Sequence, residues 1–447
     1  MKIIHGDCLE ELKRLDDNSV DAVITDPPYG LSNTKPQQVA DVLAAWVTGD
    51  TVSVPAKRGG FMGKDWDSFV PPPAVWEECM RVLKPGGHMA VFAGARTQDL
   101  MGLSIRLAGF EIRDTLGWVY GSGFPKSMDI SKAIDKAAGA EREVVGSSTN
   151  GIAGGTGEHA GEPGSYGFRK EFNITAPATS EAKQWDGWGT ALKPAIEPII
   201  LARKPLDGTV ANNVLAHGVG GLNIDACRVE TSDSLYRETS IAKVVGASEI
   251  HEGWDRPYRH SQELVDKANE ETRIKSEKAD RLGRFPANVL LDEHAAAEMD
   301  RQSGVTVSRA NTSSDGRGAE GSHIFASASF GRRDPSNSYN DSGGASRFFP
   351  VFKYQAKAPK KERPVIVRED GTKVQHPTVK PLALMEWLVT LITPEGGTIL
   401  DPFAGTGTTL QAATNKGFNP IGIEADTDYI QLIHKRLEGG TTSTRSS

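Results

Sequence analysis

Short apolar runs alternate with amphipathic stretches over the first 120 residues. KII at 2 to 4, VDAVIT at 20 to 25, HMAVFAG at 88 to 94 and FEIRDTLGWVY at 110 to 120 have the length and composition of strands. Between them, CLEELKRL, PAVWEECMRVL and TQDLMGLSIRLAG space their apolar residues three and four apart, as helices do. This βα rhythm predicts an α/β fold with a mostly parallel sheet covered on both faces by helices. LKPGG at 83 to 87 sets Pro and Gly directly after an apolar run, which predicts the end of the second helix.

The rhythm breaks after Tyr120. ISKAIDKAAGAE predicts a short helix, the Gly/Ser-rich stretch 146 to 167 a mobile loop, and AIEPIILARKP at 195 to 205 one more strand. Residues 206 to 374 then read as a large irregular insertion, expected to be partly disordered. Apolar pieces such as GGLNIDACRV and FPANVLLDEHAAAEM stand there between charged and Ser/Gly/Asn-rich runs. Regularity returns at 380 with KPLALMEWLVTLI, TILDPF, GTTLQAATNKG, PIGIE and DTDYIQLIHKRLE, a helix-strand-helix-strand-helix series, and the tail 441 to 447 reads as disordered. The last helix leads naturally into another strand, and the first strand, KIIHGD, has no predecessor. A single doubly wound sheet, circularly permuted so that the two ends meet, accounts for both. The expected domains are therefore a discontinuous catalytic unit, 1 to 205 plus 375 to 440, with 206 to 374 inserted.

Composition narrows the classes. In 447 residues, 51 Lys and Arg against 58 Asp and Glu leave a net charge of −7, which argues against a surface coated with cations for non-specific nucleic-acid binding. Cys8, Cys79 and Cys227 lie far apart without a CxxC pair, so neither a disulfide framework nor a metal site is expected, and a reducing cytoplasmic setting is the default. The N-terminus lacks a signal-peptide core, and no stretch approaches the roughly 20 apolar residues that span a bilayer.

Candidate chemistry sits at strand ends. In TDPPYG at 25 to 30, Pro27 and Pro28 stop the ladder and leave a carboxylate, free carbonyls and an aromatic ring (Asp26, Tyr29) at the end of VDAVIT. That is either a strand-terminating turn or a polar clamp for something flat. DPFAGTGTT at 401 to 409 follows TIL and opens a helix, its Gly405 and Gly407 letting a ligand approach the backbone. It lacks the lysine of a phosphate loop, which disfavours an NTPase. Glu424 closes the next strand, where an acid can accept the two hydroxyls of a ribose, and Asp7 follows a neighbouring strand within reach of an adenine amino group. One nucleoside-like ligand explains all three.

With HPTVKP at 376 to 381, these motifs in this order resemble the amino-group (N6-adenine/N4-cytosine) DNA methyltransferases of the beta arrangement, including phage and prophage members. The resemblance covers about 1 to 205 and 375 to 437 and, more loosely, pieces of the middle. It implies a Rossmann-like S-adenosylmethionine-dependent methyltransferase fold. Asp401, Phe403, Gly405 and Gly407 would line the S-adenosylmethionine pocket, with Glu424 on the ribose, Asp7 near the adenine, and Thr378 and Lys380 at the methionine end. Asp26, Pro27, Pro28 and Tyr29 would grip a flipped base, DPPY leaning to adenine N6 over cytosine N4. The implied partner is double-stranded DNA in a bacterial or phage-infected cell; a homodimer and a cognate restriction nuclease are compatible with it. C5-cytosine methylation is disfavoured, because no cysteine here follows a proline. RNA or protein-glutamine methylation, whose enzymes carry NPPY, and a catalytically silent DNA-binding regulator are the rival readings.

For DNA contacts, GWVYGSGFPKS brings Trp118, Tyr120, Phe124 and Lys126 together. Trp118 and Tyr120 suit a core equally well, so Phe124, between Gly123 and Pro125 in a loop, is the better aromatic candidate, with Lys126 as the cation beside it. Residues 341 to 385 hold nine basic side chains, Lys357, Lys360 and Lys361 among them, against four acids, which suits either phosphate contact or a solvated face.

Overall fold

The computed structural model describes residues 1–32, 34–55, 67–121, 123, 127–148, 172–231, 267, 270–271, 273–275, 277, 280–307, 342–352, 363–376 and 378–440. Nine strands form the main sheet: β1 Lys2–His5, β2 Val20–Thr25, β3 Leu83–Phe92, β4 Glu111–Val119, β5 Ile196–Arg203, β6 Val289–Asp292, β7 Val351–Phe352, β8 Thr398–Asp401 and β9 Asn419–Glu424. Among the described residues, the helices that carry the fold include α1 Cys8–Leu12, α2 Pro36–Val47, α3 Pro73–Val82, α4 Gln98–Leu107, α5 Ile130–Ala137, α6 Ser180–Gln184, α7 Val210–His217, α8 Glu293–Ser303, α9 Leu382–Ile392, α10 Thr408–Asn415 and α11 Thr427–Gly440. In space the strands run β1-β9-β8-β2-β3-β5-β4-β6-β7. All neighbours are parallel except β5, which is antiparallel to both β3 and β4.

Both faces of the sheet are covered, as the apolar character of the strands requires. All six residues of β2 are buried. Its Val23 joins the cluster formed with Trp76 and Cys79 of α3 and Ile105 of α4, while Ala22 and Ile24 join the cluster formed with Leu388 and Ile392 of α9 and Ala412 of α10. Met89 and Val91 of β3 divide from Ala90 and Phe92 in the same way. Each such Val, Leu or Ile contributes roughly 1.5–3 kcal/mol of burial, so the doubly wound sheet is held by two cores of similar make-up.

β1 pairs with β9 from Lys2↔Ile421 to His5↔Glu424, so the first and last strands of the chain are neighbours. Three details depart from the sequence reading. LKPGG ends α3 at Val82 as expected, but it also opens β3, whose pairing jumps from Val20↔Leu83 to Ala22↔His88 around Pro85 and the left-handed Gly86 (φ 77°). Helix α2 was not expected, although Val39, Val42, Leu43 and Trp46 carry the helical spacing and pack on the first core. Within 206 to 374, read as irregular, α7 and α8 form, and β6 and β7 extend the sheet beside β4.

Candidate active site

The C-terminal ends of β2, β3, β8 and β9 form one edge of the sheet, the edge at which open α/β sheets bind ligands. Because β5 is antiparallel, it brings its first residues rather than its last to that edge. Thr25, the last residue of β2, donates its hydroxyl to the Asp401 carboxylate at the end of β8 (2.7 Å), and both groups are buried. TDPPYG and DPFAGTGTT are thus bonded to each other across 376 positions of sequence.

On the β2 side, four groups converge. The Tyr29 hydroxyl donates to Asp26 Oδ1 (2.7 Å) and lies 3.5 Å from Glu197 Oε2. Lys380 Nζ reaches Asp26 Oδ2 (2.8 Å), the Tyr29 hydroxyl (3.0 Å) and Glu197 Oε2 (3.2 Å). It also stands 4.9 Å from the centroid of the Phe92 ring and 5.3 Å from that of Tyr29. Burial alone would push the Lys380 ammonium down, but the Asp26 and then the Glu197 carboxylates outweigh it and hold the group above the usual lysine range. Burial, then the Asp26 charge, pushes the Tyr29 phenol well up, so it stays protonated and can donate. The loop that carries Tyr29 is pinned from behind. Asp67 Oδ1 accepts the N–H of Tyr29 (2.7 Å) and of Gly30 (3.0 Å), and the Thr97 hydroxyl donates to the Tyr29 carbonyl (2.6 Å).

On the β8 side, Asp401 Oδ1 also accepts the Phe403 N–H (3.1 Å), and burial pushes this carboxyl up to about 6. Gly405 (φ 53°) and Gly407 (φ 74°) turn the chain into α10 in the left-handed conformation that glycine adopts without strain. Glu424 holds the turn: Oε2 accepts the Gly405 N–H and Oε1 the Asp426 N–H, each at 2.8 Å. Burial pushes the Glu424 carboxyl up to about 7. Asp7 lies on the adjacent strand end, where it caps α1 by accepting the N–H groups of Leu9 (3.0 Å) and Glu10 (3.3 Å). Phe403 is half-buried against Trp76, ring centroids 6.4 Å apart. Thr378 offers its carbonyl to His376 Nδ1 (2.7 Å), and the His376 ring packs edge-on against Tyr429 at 4.7 Å.

Asp26, Tyr29 and Lys380 are therefore brought together, with Asp401, Phe403, Gly405, Gly407 and Glu424 beside them. Lys380, expected at the methionine end of a cofactor, spends its ammonium on Asp26, Tyr29 and Glu197. Trp118 is buried (2% exposed) against Phe352, which decides for its core reading. Phe124, Lys126, Lys357, Lys360 and Lys361 lie outside the described residues. Sequence reasoning missed Glu197 and Asp67. Glu197 carried one signal, a lone acid opening the apolar run EPIILA; Asp67 carried none.

Matches to curated relatives are local. The chain is 47% identical over 64 residues to the type II methyltransferase M2.DpnII of Streptococcus pneumoniae, covering 14% of this chain and 24% of that protein. It is 26% identical over 242 residues to the type II methyltransferase M.HindIII of Haemophilus influenzae, covering 49% and 64%. The matched stretches thus span less than two thirds of these relatives. Among solved structures, the M1.HpyAVI–SAM complex overlays at a TM-score of 0.36 with 15% identity and 98% of each chain covered. A family model described as DNA methylase, of the N6/N4 type, runs from residue 20 to residue 435, that is from the start of β2 into α11 and across both candidate motifs, and the chain belongs to that family.

Proposed function

We propose that this protein is a site-specific DNA methyltransferase that moves the methyl group of S-adenosylmethionine directly to the exocyclic amine of a flipped base, adenine N6 before cytosine N4. The buried bond between Thr25 and Asp401 carries the reading, because it joins the end of the aromatic clamp to the end of the glycine turn at one strand edge. The turn suits a nucleoside-bearing cation rather than a nucleotide: two left-handed glycines, the half-buried Glu424 carboxylate and Phe403 surround it, and it has no phosphate-loop lysine. Asp401, Phe403, Gly405, Gly407 and Glu424 would hold the cofactor, with Asp7 at the adenine and Thr378 and Lys380 bordering the methionine end. When bound, the cofactor supplies an electrophilic methyl group on a sulfonium.

A base inside a duplex cannot present its amine here, so it must be flipped out and gripped by face and edge. Tyr29 offers the ring face, and the Asp26 carboxylate with the Pro27 carbonyl accepts the two amine hydrogens. That draws the nitrogen lone pair out of conjugation and aims it, and Pro28 stiffens the clamp. The Asp26 carboxylate is also placed to take the surplus proton once the new N–C bond forms. We assign residues 1–205 and 375–440 to this chemistry, in a circularly permuted order, and 206–374 to target recognition, with β6 and β7 anchoring that region to the catalytic sheet. Phe124, Lys126, Lys357, Lys360 and Lys361 are the proposed DNA contacts. The DPPY form of the clamp favours adenine.

Incubation with duplex DNA and methyl-labelled cofactor, followed by digestion to nucleosides, tests the reading. Wild type labels N6-methyldeoxyadenosine and Asp26→Ala labels nothing. N4-methylcytosine as sole product moves the assignment to cytosine, and DNA binding without transfer by wild type returns the silent-regulator reading.

A further inference from the structure

Two carboxylates, not one, face the Lys380 ammonium. Asp26 is the acid of the clamp; Glu197 lies outside every motif that marks the site and reaches it only because β5 runs antiparallel. Ala93, just past β3, donates its N–H to the Pro198 carbonyl (2.9 Å), and Trp118 pairs with Glu197 across β4 and β5, so the backbone on both sides of Glu197 is fixed by the sheet. The three N–H donors of Lys380 meet three acceptors: Asp26 Oδ2, the Tyr29 hydroxyl and Glu197 Oε2. Both oxygens of Asp26 are thereby engaged, Oδ1 by Tyr29 and Oδ2 by Lys380.

An incoming amine needs the same carboxylate. The ammonium must lean away from Asp26 without becoming an unpaired cation in a site where its own side chain is only 10% exposed, a costly state. Glu197, 28% exposed and 3.2 Å away, is the only other carboxylate within ion-pair distance of it among the described residues. We propose that Glu197 is a positioning residue of the methyl-transfer site, drawing Lys380 off Asp26 when the target amine binds. Without Glu197 the ammonium stays locked on Asp26 and competes with the substrate. This rests on the methyl-transfer reading above and adds a residue to it.

The test is a double-mutant cycle on the full chain, with single-turnover transfer to duplex DNA as readout. Glu197→Gln is expected to slow transfer about tenfold or more while cofactor affinity and melting temperature stay at wild-type values, because the defect lies in freeing Asp26. Glu197→Asp recovers part of the rate. Lys380→Met removes the competing ammonium itself, so adding Glu197→Gln to it costs nothing further, since the residue acts only through the ammonium. Equal rates for wild type and Glu197→Gln, or full additivity in the double variant, overturn the proposal. A Glu197→Gln that melts early and binds cofactor poorly overturns it too, as a purely structural role. Absence of transfer by wild type is the separate outcome that removes the reading beneath it.

Discussion

Thr25 is a small residue with a large consequence. Its hydroxyl is the donor that the buried Asp401 carboxylate receives from the other half of the site. Thr25→Val keeps the shape and removes that donor, so it should cost about 1–3 kcal/mol of stability in chemical denaturation and weaken cofactor binding. Glu424 makes a pH prediction. Burial raises its pKa from 4.5 to about 7, so between those values the folded protein holds a proton that the unfolded chain has lost. Folded stability from this group is therefore full below pH 4.5 and declines as pH rises through about 7. In the proposed role of Glu424 cofactor affinity runs the other way, because only the carboxylate would accept two ribose hydroxyls. Calorimetric titration should show it rising about tenfold per pH unit below 7 and levelling above, with Glu424→Gln weak and flat. At this scale Asp26, Tyr29, Asp401 and Glu424 were legible because proline, glycine and an acid punctuate apolar runs there. The Thr25 and Lys380 bonds were not, since no local pattern encodes partners more than 300 positions away.

Turns between elements fix where those side chains stand, and two glycines test this. Gly30 follows Tyr29 with φ 68°, and a Cβ there would come within 2.8 Å of the Val70 backbone nitrogen. Gly407 starts α10 with φ 74°, and its Cβ would meet the side chain of Ile433 at 3.0 Å. A side chain can yield where backbone cannot. Each alanine pays the left-handed penalty of about 1–2 kcal/mol, but Gly30→Ala should melt several degrees lower than Gly407→Ala in thermal denaturation and lose more transfer activity. Equal melting temperatures would show that the Gly30 turn relaxes freely. Helices α3, α4, α9 and α11 were legible from their spacing, whereas α2 was overlooked despite carrying the same signal. The direction of β5 could not be read at all: an apolar run has no arrow. Antiparallel pairing, decided by how the chain returns from the region after β4, is what turns Glu197 from a strand-opening acid into a neighbour of Lys380.

The whole molecule is interleaved rather than assembled from two finished halves. Strands β8 and β9, from the last part of the chain, lie between β1 and β2, from the first part. The pattern of elements foretold that the ends would meet, and the ladder shows how: β1 pairs along four positions of β9, while Ile399 and Leu400 of β8 pair with Ala22 and Val23 of β2. Asp21 adds a side-chain bond to the Thr398 N–H (2.7 Å), and the Gly6 N–H reaches the Glu424 carbonyl (3.0 Å). A fragment spanning 375–440 would keep α9, α10, α11 and two strands, but both edges of its strand pair would be stripped and one face of Leu400 and Ile423 left without the core that buries them. Produced alone, it should therefore show no cooperative thermal transition and no cofactor binding, although it contains most of the residues proposed to hold the cofactor. Circular dichroism melts and calorimetry on that fragment decide the matter. A sharp transition with measurable binding would mean that the cofactor half is an autonomous unit, and that the bond between Thr25 and Asp401 joins two independent modules instead of closing one shared core.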